Sequence, residues 1–138
     1  MGAALQALYS LDMPTHQNAV DIFKGFWKSA FPEESKLEAG SVANFQDKRV
    51  DWVDHKLGGL NGKSILELGP YEAYDTYQFS QLRAGSITAI EGNNINYLKC
   101  LVVKEVLGIQ SQFLYEDINT YLENSSEHYD ICWASGVL

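Results

Sequence analysis

The chain has 138 residues, 46% of them hydrophobic and 12% aromatic, which suits one domain with its own core and argues against wholesale disorder. Its formal charge is −8, from 10 Lys and Arg against 18 Asp and Glu. The longest basic cluster, Lys48-Arg49, is flanked by Asp47 and Asp51, so the surface repels phosphate backbones and nucleic acid is not an expected partner.

The first 14 residues read as a short leader without a clear period. From about Asn18 an apolar face, Val20, Phe23, Trp27 and Ala30, recurs at i, i+3, i+7 and i+10 and predicts a helix, capped by Thr15 or Asn18 and ended by Pro32. Residues 33–43 form a polar connection. Val50, Val53 and Leu57 predict a second helix, stopped by Gly58-Gly59. Trp27 and Trp52 fall in these helical patterns as core or interface residues. His16, His55 and His128 are isolated, with His55 expected on the surface.

After Gly62 the pattern changes. Ser64–Gly69 is a short apolar run read as a buried strand, followed by helical spacing over about 74–83. Ser86–Glu91 is a second strand, closed by Gly92-Asn93-Asn94. The next helix is predicted to be capped by Asn94, to present Ile95, Leu98, Leu101, Val102 and Val106 to the core, and to stop at Gly108. Gln112–Asp117 reads as a third strand, about 118–124 as a short helix, and Tyr129–Ser135 as a fourth strand. Strands alternating with helices imply right-handed βαβ units in a parallel sheet. The class is α/β, a parallel sheet with an N-terminal helical extension. The boundary falls between residues 1–61 and 62–138.

In an open parallel sheet, ligands bind beyond the carboxyl ends of the strands. Those ends carry Gly69-Pro70-Tyr71-Glu72, Glu91-Gly92-Asn93, Glu116-Asp117-Ile118 and Ala134-Ser135-Gly136. Three of the four present a carboxylate, which suits a ligand with hydroxyls, an exocyclic amine and positive charge. Gly69 to Glu91 is 22 residues, the spacing at which a second-strand acid reaches a ribose diol. A pyrophosphate loop needs G-x-G-x-x-G, yet Tyr71 and Tyr74 occupy the second and third glycine positions, which disfavours an NAD(P)-binding domain as the alternative.

Ile65–Ala73 (ILELGPYEA) resembles motif I of class I S-adenosylmethionine-dependent methyltransferases, in the subgroup with a G-P-x-E-G loop. Thr88–Asn93 (TAIEGN) resembles motif II, Phe113–Ile118 (FLYEDI) the third-strand motif, and Tyr129–Leu138 (YDICWASGVL) the fourth-strand segment. Asn18–Trp27 is similar to stretches that precede this domain in the subgroup. The resemblance implies a Rossmann-like sheet of order 3-2-1-4, incomplete and with helices on both faces, S-adenosylmethionine as cofactor and methyl transfer as activity. It puts Glu67, Gly69, Pro70, Glu72, Glu91, Gly92, Asn93, Asp117, Ile118 and Ala134 around the cofactor. It names no catalytic base. Structural readings stand beside these: Glu67 as a strand acid paired to a lysine, Asp117 as a helix N-cap. Ala73 replaces the subgroup's second glycine, which costs on the order of 1 kcal/mol if the position needs positive φ.

The expected acceptor is a small molecule. Class I domains continue through three further strands, so the chain is expected to be truncated after the fourth. A cofactor-binding fragment that oligomerises is therefore an alternative reading, with the open fourth-strand edge or the N-terminal helices as homodimer surfaces. Cys100 and Cys132 form no CxxC and have no paired His, so neither zinc nor a disulfide is expected and both thiols should be free and buried. No stretch reaches the ~18 apolar residues of a membrane span. The start, Met1-Gly2-Ala3-Ala4-Leu5, lacks a signal peptide's basic region, so a cytoplasmic protein is expected.

Overall fold

The computed structural model describes residues 9–137. The first eight residues of the expected leader, and Leu138 at the end of the fourth-strand motif, lie outside the described residues. In chain order the elements are α1 (His16–Asp21), a 3-10 turn (Glu33–Ser35), α2 (Lys48–Lys56), β1 (Ser64–Leu68), α3 (Tyr74–Gln81), β2 (Ser86–Glu91), α4 (Asn94–Leu107), β3 (Gln112–Tyr115), α5 (Ile118–Asn124) and β4 (Ile131–Trp133). The sheet is ordered β3-β2-β1-β4 and every pairing is parallel, as the sequence predicts.

Alternation along the strands sorts the core into two faces. Ile65, Ile87, Ala89 and Phe113 point toward α2, α3 and α4, while Leu66, Leu68 and Ile90 meet Ile118, Tyr121 and Tyr129 on the α5 side. The first face is the thicker, because the N-terminal segment adds Val20, Trp27, Phe31 and Phe45 to the cluster built by α4. Phe23, Trp27, Phe31, Phe45 and Tyr77 form a chain of edge-on and tilted aromatic contacts, with centroids 4.9–5.9 Å apart.

Several expectations are corrected. The first helix does not run to Pro32. Thr15 caps it by accepting from Asn18 N–H, but it ends at Asp21 and gives way to turns through Gly25, which sits at φ +83°. Trp27 and Phe31 are buried by an irregular chain whose amides serve another purpose, described below. On α4 the cap is Asn93, whose side chain accepts from Asn96 N–H, one residue before the expected Asn94. The buried face of α4 is Lys99, Cys100, Val103 and Val106, whereas Ile95, Leu98 and Leu101 are exposed. Val106 is buried and Val102 packs on the core as expected, so a rule that sends lysine to solvent misplaces only Ile95, Leu98 and Leu101. Cys132, expected to be buried, is exposed on the sparsely covered face of β4. Trp52 is also exposed, with Lys56 Nζ 5.7 Å from its ring centroid.

Gly40 fits tightly beneath the N-terminal segment. A Cβ there would lie 2.3 Å from the carbonyl carbon of Lys28, a backbone atom that cannot swing aside. Gly40→Ala should therefore destabilise the fold by about 2 kcal/mol, seen as a lower urea midpoint at unchanged slope. A midpoint equal to that of the parent chain would show that residues 28–29 are not held where they are described.

Candidate functional site

Glu91 ends β2 and organises the site. It is almost wholly buried, and its two carboxylate oxygens accept hydrogen bonds from Tyr71 N–H and Asn93 N–H, each at 3.0 Å. Gly69 N–H is bonded to Ile90 O at 2.9 Å, which ties the first loop to the same strand end. Gly69, Tyr71, Tyr74 and Glu91 line a cavity of about 290 Å³, closed on other sides by Asn96 and by residues 135–137 after β4. Gly69 needs its freedom here: φ is +72°, and an added Cβ would come within 2.5 Å of Val137 Cγ1. Tyr71 (φ 58°) and Ala73 (φ 61°) also take left-handed backbone, so the strain expected at Ala73 is present and Tyr71 shares it.

The remaining sequence-predicted residues distribute unevenly. Asp117, exposed at the end of β3, caps α5 through Oδ2, which accepts from Thr120 N–H and Oγ1; the Thr120 amide holds its carboxyl below the usual range. Its other oxygen has no partner in that cap. Ile118 starts α5 and packs on Leu66, Leu68 and Ile90. Ala134 follows β4 on the same face. Gly92 and Asn93 turn from β2 into α4, with Gly92 packed against Glu116 O, 3.4 Å from an added Cβ. Pro70 is buried in the first loop, where its carbonyl accepts from Ala73 N–H at 2.8 Å.

Glu67 and Glu72 are turned into the protein. The Glu67 carboxyl is buried and accepts a short hydrogen bond from Thr76 Oγ1 of α3; burial pushes its pKa up to about 8. No lysine reaches it, so the strand ion pair considered for Glu67 is absent. Glu72 has no exposed surface. Its oxygens accept from Ser29 N–H (2.8 Å), Lys28 N–H (3.1 Å) and the Lys99 ammonium (2.9 Å). Burial opposes its charge, but Lys99 and the two amides hold the carboxyl below the usual range.

Several site residues were not singled out by sequence. Asn96, one turn into α4, lines the cavity and carries no pattern that marks it. Of the three tyrosines around the first loop, Tyr71 and Tyr74 face the cavity, while Tyr77 bonds Glu34 at 3.1 Å elsewhere. Asp75, on the first turn of α3, is buried beside the site. Its Oδ2 accepts from Trp133 Nε1–H at 2.9 Å and lies 4.0 Å from Arg49, while Oδ1 has no partner. Burial, and then the neighbouring Asp47, push Asp75 up to about 7; Asp47, bonded to Arg49, falls to about 2. A proton shared from Asp75 to Asp47 would satisfy the orphaned oxygen.

A larger cleft of about 620 Å³ lies on the α5 face, floored in part by Ser64, Ser86 and Gln112, the first residues of their strands. Its lining runs from those amino ends to Leu114 and Glu116 and includes neither Glu91 nor the glycine loop, so the smaller cavity is the candidate site. Among the described residues no group of three His, Cys, Asp or Glu could hold a metal, and no helix is long and apolar enough to cross a membrane.

No protein-family model matches the chain, and no curated protein matches it in sequence. Solved structures do match in fold. The N-terminal domain of EvdMO1 with SAH bound superposes with a TM-score of 0.60 at 24% identity, over 78% of this chain and 50% of that one. A putative O-methyltransferase from Klebsiella pneumoniae gives 0.57 at 16% identity, covering 95% and 56%. A SAM-dependent methyltransferase from Thiobacillus denitrificans, in complex with S-adenosyl-L-homocysteine, gives 0.54 at 18%, covering 91% and 45%. The chain thus spans about half the length of these structures, and its four-stranded sheet has the Rossmann-like fold of S-adenosylmethionine-dependent methyltransferases.

The raised carboxyls set a pH dependence. Asp75 and Glu67 bind protons more tightly when folded, so their contribution to stability is complete below about pH 4 and is lost as pH rises through 7 and 8; Asp47 contributes above pH 3.8 and loses it toward 2. Asp75→Asn keeps an acceptor for Trp133 and supplies a donor for Asp47. It should raise the melting temperature by about 3–5 °C more at pH 8 than at pH 5, at least about 1 kcal/mol, because the unfolded carboxyl is already ionised at pH 5 whereas the folded one ionises only near 7. Equal shifts at both pH values would rule out the buried charge as the cause.

Proposed function

We propose that the chain binds S-adenosylmethionine beyond the carboxyl ends of β1–β4 and belongs to an enzyme that transfers its methyl group to a small-molecule acceptor. The observation that carries this reading is Glu91: a buried carboxylate at the end of β2, oriented by two backbone amides, opening on the cavity that Gly69 lines. An ionised carboxylate offers about four acceptor positions. Two are used by Tyr71 and Asn93 amides, which leaves capacity for a ribose diol.

The other groups fit the same ligand. Asp117 caps α5 with Oδ2 alone, leaving Oδ1 to accept from an adenine amino group, and the Ile118 amide is one of the orphan donors of a helix start, suited to a ring nitrogen. Gly92, Asn93 and Ala134 bring backbone alongside the nucleoside, and Gly69 and Pro70 carry the chain close to the amino-acid end. Glu67 and Glu72 act from beneath, one on α3 through Thr76 and the other on the N-terminal segment. The ring of Tyr71 stands where a pyrophosphate requires bare backbone, which weighs against a dinucleotide.

Bound S-adenosylmethionine supplies a methyl carbon already activated by its sulfonium. The protein's task is to hold that carbon in line with an acceptor atom and to exclude water. The charge of −8 favours a small molecule over a nucleic acid as acceptor.

Calorimetric titration with S-adenosylhomocysteine tests the reading. Micromolar binding is expected, weakened about 30-fold in Glu91→Ala, the equivalent of ~2 kcal/mol for the lost charge-assisted hydrogen bonds, with no heat from NAD. A folded chain that ignores S-adenosylhomocysteine, or prefers NAD, would overturn it.

A further inference from the structure

The N-terminal segment meets the first glycine loop at one buried point. Lys28 N–H and Ser29 N–H both donate to the Glu72 carboxylate, and Lys99 Nζ bridges from Glu72 to the carbonyl of Phe26. The same ammonium sits 5.4 Å from the centroid of the Trp27 ring, and Trp27 Nε1–H in turn donates to Val20 O at 2.8 Å. Four consecutive residues, 26–29, therefore converge on one ion pair whose two side chains are 0% and 6% exposed.

Glu72 stands between two residues in left-handed backbone, Tyr71 and Ala73. Neither is glycine, so this loop geometry does not persist on its own preference; it must be held from outside. The restraints are visible. Cys100 Sγ lies 3.3 Å from Tyr71 O, one residue along α4 from Lys99, and the Glu72 carboxylate is fixed by the N-terminal amides. What the held geometry accomplishes is to aim Tyr71 N–H at Glu91 and to turn its ring toward the cavity.

We infer that Glu72 is a positioning residue through which docking of the N-terminal segment and binding of a nucleoside ligand at Glu91 reinforce one another. The inference rests on the cofactor reading above and adds to it a role for residues 26–29, none of which lines the cavity. The two binding events are linked through a loop with two arrangements: strained and docked, or relaxed with Glu72 and Lys99 unpaired. A ligand that needs the Tyr71–Glu91 arrangement favours the first and must tighten the segment by the same factor that the segment tightens the ligand.

Hydrogen exchange with and without saturating S-adenosylhomocysteine reads this coupling directly. The expected result is slowing of the Lys28 and Ser29 amides by about tenfold more than the Leu57 amide at the end of α2, which reports overall stabilisation. In Glu72→Gln and in Lys99→Met, each of which leaves one buried charge alone, S-adenosylhomocysteine should bind about tenfold more weakly, and the double variant should recover part of the loss. Slowing at Lys28 and Ser29 no greater than at Leu57, while the Tyr71 and Asn93 amides are protected, would overturn the coupling and leave the cofactor reading intact. Absence of binding by the parent chain would overturn both. Should the single variants fail to fold, exchange in the parent chain decides the matter alone.

Discussion

A carboxylate with no exposed surface, Glu72, faces an ammonium that is nearly as deeply buried, Lys99, and most of the architecture on that side of the sheet is arranged around the pair. Bringing two such charges out of water costs several kcal/mol each, and the return comes only when every lone pair and proton finds a partner. Here the partners are supplied by the N-terminal segment: two amides for the carboxylate, a carbonyl and an indole face for the ammonium. This explains why the chain leaves helical geometry after Asp21. A continuing helix would have committed the amides of Lys28 and Ser29 to carbonyls four residues back, and the carboxylate would have been stranded at a cost of about 3–5 kcal/mol. The pair also turns α4 so that Lys99, Cys100 and Val103 face inward while Ile95 and Leu98 face out.

The parts of this fold that could be read from sequence are those governed by local periodicity. The four strands are short apolar runs bounded by glycine or polar turns, and their alternation with helices implies parallel pairing through right-handed crossovers, while their order followed from the family resemblance. The position of Glu91, ending β2 and lining the cavity with Gly69, was readable because it depends on a spacing along the chain from Gly69. Glu72 was not, since its partners lie 27 residues downstream and 43–44 upstream, and no local pattern couples them. Asp75 shows the same limit: an acid on the first turn of a helix is ordinary, and only the arrival of Trp133, 58 residues later, removes it from water. The first helix failed for a different reason. Val20, Phe23, Trp27 and Ala30 have helical spacing, yet only Val20 lies in the helix; an irregular chain buries Trp27 while using its backbone to bind Glu72. A departure visible in the sequence did carry information: alanine at 73, where the resembled loop has glycine, marked a place where the backbone is strained, and Tyr71 shares that strain without having been marked.

The two faces of the sheet are built to different standards. Among the described residues, one side carries α2, α3, α4 and an aromatic network, and the other carries α5, above Leu66, Leu68 and Ile90. The candidate site lies where the better-supported side meets the strand ends, so its residues are positioned by the rigid part of the molecule. Glu91 is fixed by two amides, Gly69 by Ile90, and Tyr71 by both Glu91 and Cys100. Asp117 and Ile118, at the lip formed by α5, are held by a single cap and a smaller apolar cluster.

The buried acids alter how the molecule presents itself to an electric field. The formal charge of −8 counts every carboxyl as ionised. With Glu67 at about 8 and Asp75 at about 7, the native chain at neutral pH retains between one and two protons that a freely hydrated chain would release. Folding thus draws protons from solution and unfolding returns them. The native protein migrates as a less acidic species than its composition implies, and the heat of its unfolding at pH 7 carries the ionisation enthalpy of whatever buffer receives those protons.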